Sequence, residues 1–456
     1  MKITPMGDRE SHPGAAAEAI WSKSLAKPTF FESVERGSFE LFNFSLSMRN
    51  EALAWDSGAV RAEPEQVRLE RWVERTAYFH EVRHYHDLIG SVCGLHILLE
   101  ATRLVDETLW LRSHGDPSAV ATAVRAHKEF VSFILGAQTP DQVESVEAAH
   151  RELPVREFVY RGFQTVTVMV PIVDQDPRTG EVGHLWYRFG MRALMEHIGT
   201  ELQIFIAAIG AGSDPHASDS AGTVERAHSA WGSLKRRRRH VYMLCHEWAM
   251  LQQATQRRAT GETTGWDWAR ATPPLGDITI LAAMALDLSG YAPVRDSRGN
   301  VQWQFEHPGA AFANLLLAWA ELGDRYLAID SLADELAQKV LRGQRYSTWL
   351  AAYNRSLQLR SSIVPEDLRP SSAHSSQIRA IREFVIAEHV QIMQAKQSNL
   401  TNWLLPPEYI RQLAKFPIPP LQEVAGRPIH SRPNKVVELV RTWNSLLKQA
   451  EEVLNG

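Results

Sequence analysis

The stretch VRLERWVERTAYFHEVRHYHDLI, residues 67–89, decides how this chain is read. Leu69, Trp72, Val73, Ala77, Phe79, Val82, Leu88 and Ile89 recur at broadly helical spacing, with charged residues between them. No proline or glycine interrupts the run before Gly90, so a helix is expected. Inside it stands His80-Glu81-Val82-Arg83-His84, an H-E-x-x-H pattern continued by Tyr85-His86-Asp87. His80 and His84 fall one turn apart on one helix face, so both imidazoles reach a common metal ion. Glu81 is then offset toward the open side of that ion, where a water molecule would sit. A Zn²⁺ held by neutral nitrogen ligands lowers the pKa of such water to about 7, and a nearby carboxylate takes its proton.

The segment resembles the active-site helix of zincin-type zinc metallopeptidases. The resemblance implies that His80 and His84 are zinc ligands, that Glu81 is the general base, and that the substrate is a peptide or protein. It covers about a dozen of the 456 residues. Arg83 departs from it, since the family usually has an uncharged residue there; at i+4 from Asp87, Arg83 is expected to pair with it on the helix surface. The metzincin extension fails, because its third histidine would fall at Gly90.

Catalytic zinc sites normally take three protein ligands plus water, and two carboxylates compete for the third place. Asp87 shares the face of His80 and His84, but three ligands from consecutive turns of one straight helix converge poorly. Asp87 and His86 are therefore expected to support the ligands, Asp87 by accepting the other ring N–H of a histidine. Glu196 is the preferred ligand. It lies in YRFGMRALMEHIGTELQIFIAA, residues 187–208, a helical run whose small residues permit close packing on the first helix. Ala193-Leu194-Met195-Glu196 is similar to the gluzincin segment that supplies a glutamate ligand, although the aspartate often found four residues later is Thr200 here. His197 and Glu201 remain alternative ligands. Tyr187, Arg192 and His197 are candidate donors to a developing oxyanion.

Composition bounds the rest. With 44% hydrophobic residues the chain can bury a large core, and its net charge of −4 offers no global attraction for nucleic acid or anionic membrane. Lys235-Arg236-Arg237-Arg238-Arg239-His240 is the strongest charge run and reads as a solvated segment rather than a nucleic-acid face. Two cysteines, Cys93 and Cys245, lie in apolar helical contexts and read as buried thiols of a reducing compartment. No signal-peptide pattern opens the chain and no apolar stretch is long enough to span a bilayer, so a soluble, cytoplasmic protein is expected.

The expected fold is mainly α with a small β component: a metal-binding helical core, then a helical C-terminal half. Residues 1–28 read as a loose lead-in, 29–257 as the metal-bearing domain and 276–456 as the C-terminal domain. Helices are expected over 66–112, 117–136, 140–151, 187–210, 222–257, 276–290, 308–342, 345–359, 376–398 and 434–454. Residues 39–46 alternate like a strand, and 155–186 suggest strands or a hairpin closing at Pro177-Arg178-Thr179-Gly180. Two other classes fit parts of the pattern. Glu81-x-x-His84, with Glu147/His150 and Glu225/His228, is also the spacing of di-iron carboxylate bundles. A non-catalytic helical interaction protein is the third, suggested by fourteen tryptophans and long amphipathic helices.

Overall fold

In the computed structural model the metal-motif helix is α1, Ala77–Ile89, and nearly all of it is buried. The structure describes residues 31–48, 69, 73, 76–136, 141–143, 157–175, 182–210, 222–231, 240–259, 275–322, 328–359, 373–424 and 427–455, with short gaps inside several spans. The fold is mainly α with a few small sheets. The helical run expected over 66–112 is not one helix. α1 ends at Gly90, whose N–H bonds His86 O at 2.7 Å, and α2, Val92–Ser113, leaves at 76° to it. Ser91 makes the new start, its hydroxyl accepting the Gly94 N–H at 3.1 Å. A Cβ on Gly94 would lie 1.9 Å from Leu88 O, so this corner needs glycine.

Further helices among the described residues are α3 (Pro117–Leu135), α4 (Met191–Gly210), α5 (Leu244–Ala259), α6 (Leu275–Leu288), α7 (Pro308–Leu322), α8 (Ile329–Val340), α9 (Tyr346–Leu359), α10 (Ser375–Ser398), α11 (Leu400–Leu404), α12 (Pro406–Gln412) and α13 (Asn434–Asn455). The expected helix over 308–342 is thus two, and that over 187–210 starts at Met191 because residues up to Phe189 are strand. Asp141–Val143, expected at the head of a helix over 140–151, is also a strand.

The alternation at 39–46 belongs to a hairpin. β1 (Phe31–Ser33), β2 (Gly37–Glu40) and β3 (Ser45–Met48) run antiparallel, and the chain reverses over 41–44, with Phe44 at φ 51°. β4 (Asp141–Val143), β7 (Val168–Gln175) and β8 (Val182–Phe189) form a second sheet in which β7 and β8 are the expected hairpin; β5 (Glu157–Tyr160) and β6 (Phe163–Val166) form another. The residues 177–180 at the hairpin's tip lie outside the described set. β9 (Gly290–Arg295) and β10 (Val301–Glu306) make a hairpin where no strand was expected.

β11 (Leu421–Val424) closes the first sheet by pairing parallel with β3, Leu421 opposite Ser45, with β12 (Arg427–Ile429) beyond it. The first sheet packs against α1, and α10 packs against α1 and α2. The larger hydrophobic cluster runs from Leu41 to Ala450, and a smaller one gathers Leu69, Ile204, Ala207, Trp231 and Met243. Among the described residues no single helix is long and apolar enough to cross a membrane. Both cysteines are free and buried.

Buried histidines are unusually frequent in this core. His86, His96, His307 and His389 are pushed down to about 3, 4, 4 and 3, in each case chiefly by burial. An unfolded histidine titrates near 6.5, so between pH 6.5 and 4 the unfolded chain takes up protons that the folded chain refuses. Each such histidine therefore removes about 1.4 kcal/mol of stability per pH unit on acidification through that window. Buried Glu201 and Asp87, raised to about 8 and about 6 chiefly by burial, work the other way but are fewer. Urea midpoints of metal-free protein should therefore fall from pH 7 to 4.5, and His307→Gln should make that fall shallower; an unchanged slope in the variant would show that this side chain is not held neutral.

Candidate metal centre

α1 and α4 pack side by side, and their contact assembles the cluster. His80 Nε2 lies 3.2 Å from Glu196 Oε2, and His84 Nε2 lies 3.7 Å from the same oxygen. Ligand atoms of His80, His84 and Glu196 all fall within 4.8 Å of one another, and this group could hold a metal ion. Two imidazole nitrogens and one carboxylate oxygen are a donor set that divalent transition metals accept. All three residues are at most 2% exposed, and Glu81 beside them is fully buried.

The helices meet at a residue without a side chain. An added Cβ on Gly199 would stand 3.1 Å from His80 Nδ1 and 3.1 Å from His84 Cε1. The His80 ring lies against the Gly199 backbone, which favours its protonated form. At the N-terminal end of α1, Thr76 Oγ1 donates to Gln203 O of α4 at 3.2 Å, and Gln203 Nε2 donates to Val73 O. Tyr242, in the short 3₁₀ turn His240–Met243, packs edge-on to His80 with centroids 6.1 Å apart.

The electrostatics of the cluster call for positive charge. Burial works to raise the Glu196 pKa, but the His80 hydrogen bond and the adjacent His84 imidazole override it and hold the carboxyl down at about 2. Burial likewise works against a charged His80, yet Glu196 and Glu81 outweigh it and its pKa is raised. His84 goes the other way, to about 4, because of burial and the charge of His80. A proton on His80 thus supplies compensation that a metal cation would supply in greater measure.

The other expected residues are distributed differently. Arg83 does pair with Asp87, Nε to Oδ1 at 3.0 Å, but in the interior rather than on the surface. Its guanidinium also donates to Trp403 O at 2.8 Å and lies 4.8 and 4.7 Å from the Trp403 and Tyr409 ring centroids. Asp87 therefore serves Arg83 and is not brought to a liganding histidine. Nor does His86 support the cluster: Nδ1 bonds Tyr409 Oη and Nε2 bonds Pro417 O at 2.6 Å. Arg192 stands one turn before Glu196, buried; burial lowers its pKa to about 10, and Glu196 counters that. Tyr187 sits in β8 opposite Val170, not on α4.

His197 and Glu201 are not brought into the group with His80 and His84. They face each other on α4, Nε2 to Oε2 at 3.6 Å, with His197 stacked on Trp231. His197 is lowered to about 3 by burial and by His246, and Glu201 is raised to about 8 by burial and by Asp277. His246 stacks on Trp231, with ring centroids 6.0 Å apart. Of the further Glu-x-x-His pairs, Glu225 is exposed, while Glu147, His150 and His228 lie outside the described residues, as do Lys235–Arg239. Gly199 and Tyr242 were not anticipated: small residues in 187–208 suggested close packing in general, but nothing in the spacing singles out either position.

Comparison of the chain with protein-family models, with curated proteins and with solved structures finds no match.

Gly199 gives a sharp test of the geometry. Alanine gains about 1 kcal/mol of helix propensity over glycine, whereas both imidazoles must retreat by a few tenths of an ångström. Gly199→Ala should leave urea stability of the metal-free protein near wild type or above it. If the cluster takes up a divalent probe ion such as Co²⁺, the variant's affinity for it, by competition with a chromophoric chelator, should fall by about tenfold or more, the usual scale for disturbing the support of a metal ligand. Unchanged affinity would mean that the close approach does not set the ligand geometry.

Proposed function

We propose that the protein is a zinc-dependent hydrolase, most simply a metallopeptidase, with His80, His84 and Glu196 holding Zn²⁺ and Glu81 acting as general base. The observation that supports this is the convergence of Glu196, from a helix more than a hundred residues downstream, on the two histidines of an H-E-x-x-H turn. The chemistry of the donor set fits zinc, which takes nitrogen and oxygen ligands of this kind and in catalytic sites takes three of them. Bound there, zinc would supply a water nucleophile at neutral pH and polarise a carbonyl oxygen.

The chain's own residues would do the rest. Glu81 is buried within reach of the charge on His80, so its carboxylate is positioned to take a proton inside the site. Held on a carboxylate oxygen, that proton would then pass to the leaving amine. Glu196 fixes both imidazoles through one oxygen, and Arg192 lies one turn away as a buried cation beside that carboxylate.

One observation favours a second reading. His80, His84 and Glu196 are all buried, which suits a metal that fastens α1 to α4 without turnover. Glu81→Gln separates the two. The hydrolase reading expects the variant to keep its zinc and to lose peptide-library cleavage by about 10²–10⁴-fold, the usual worth of a general base. A fully zinc-loaded wild type that cleaves nothing, yet loses thermal stability on chelation, would replace it with the structural reading.

A further inference from the structure

Buried polar groups nearly always find partners, and each exception calls for an explanation such as a water or an ion. At the metal centre, His80 Nδ1 is such an exception. The same signature recurs around the same helix. His197 hydrogen-bonds through neither ring nitrogen, and Glu201 Oε2, Thr200 Oγ1 and Trp231 Nε1 are also buried without a hydrogen-bond partner. These residues are at most 5% exposed. His197 and Glu201, one turn apart, place Nε2 and Oε2 3.6 Å from each other. That is beyond a hydrogen bond and close to the about 3.4 Å that separates two ligands of a tetrahedral ion with bonds near 2.1 Å. The corresponding distance between His84 and Glu196 is 3.7 Å.

We propose that His197 Nε2 and Glu201 Oε2 hold a second divalent transition-metal ion, against the Trp231 ring and distinct from the ion of His80, His84 and Glu196. Imidazole plus carboxylate selects zinc-like ions over the all-oxygen preference of Mg²⁺ and Ca²⁺. Trp231, stacked on His197 with centroids 5.6 Å apart and planes at 28°, holds the imidazole orientation and screens the pair from bulk water. Water would complete the shell, as in sites with few protein ligands. With two histidine or carboxylate donors instead of three, this site binds more weakly than the first.

The experiment is equilibrium dialysis of chelator-stripped full-length protein against Zn²⁺, and separately Co²⁺, with metal per chain read by mass spectrometry. Wild type, His84→Ala, His197→Ala and Glu201→Gln are compared, each checked by far-ultraviolet circular dichroism. Two equivalents in wild type and one in each variant, with the Co²⁺ visible spectrum changed differently by His84→Ala and Glu201→Gln, are the expected result. Glu201→Gln keeps side-chain size and decides the matter should His197→Ala fail to fold. One equivalent in wild type, kept in Glu201→Gln, overturns the proposal and leaves a water-bridged His–Glu pair. Two equivalents in both His197→Ala and Glu201→Gln overturn it as well, placing the ion elsewhere. Loss in His197→Ala and Glu201→Gln but not in His84→Ala would uphold this site while removing the first, so the two readings fail separately.

Discussion

The close approach of α1 to α4 is the constraint on which the centre depends. Because Gly199 has no side chain, the rings of His80 and His84 rest directly on the α4 backbone, and Glu196 reaches both from one turn away. The side chains at that contact are buried. A carboxylate in such surroundings needs a cation, since an unpaired buried charge is far more costly than a paired one. The depressed Glu196 and the raised His80 are two expressions of that need. A metal ion answers it with two charges where a proton answers with one.

The same helix buries further polar groups on its other faces, and the C-terminal half of the chain satisfies them. Arg83 is enclosed by Trp403 and Tyr409, His86 by Tyr409 and Pro417, and Tyr85 donates to Glu388 at 3.1 Å. The end of α1 leaves carbonyls without helical partners. Lys396 Nζ meets Gly90 O at 2.6 Å, and His389 Nδ1 meets Ile89 O at 2.6 Å. Lys396 is itself neutralised by Asp287 at 2.9 Å, which Tyr346 also contacts. A cation at a helix C-terminus is favourable in its own right. Residues three hundred positions downstream thus hold this helix in place, and the larger hydrophobic cluster accordingly spans residue 276.

The parts legible in the sequence are those governed by local periodicity. Two histidines at i and i+4 and a helix through Val82 follow from 3.6 residues per turn, and so does the pairing of Arg83 with Asp87. That this pair is interior does not follow, because its enclosing rings, Trp403 and Tyr409, are distant in the chain. Gly90 marked the end of the α1 pattern, yet the apolar residues beyond it continue the helical period, and only the Ser91 cap and the Gly94 contact make the turn of 76°. Residues 39–46 alternate as a strand does, but a reversal at Phe44 divides them. Glu196 was reachable through its resemblance to a glutamate helix. Gly199, which makes that glutamate useful, carries no pattern at all.

Burial sharpens the choice between a metal that holds the fold and one that does chemistry. Low dielectric strengthens every charge interaction in the centre, so a cation there is bound strongly whatever its purpose. Glu81 is the further acidic group at this contact. A glutamate at this position exposes no surface and adds a second carboxylate beside one that two imidazoles already compensate. Glutamine or an apolar residue would fill the same volume at lower desolvation cost. Two carboxylates against a dication would give a neutral centre, and under the proposed hydrolysis the nearby Arg192 would add positive charge that favours a carbonyl oxygen gaining charge. The burial of Glu81 beside these ligand atoms is the feature on which the proposed hydrolysis draws.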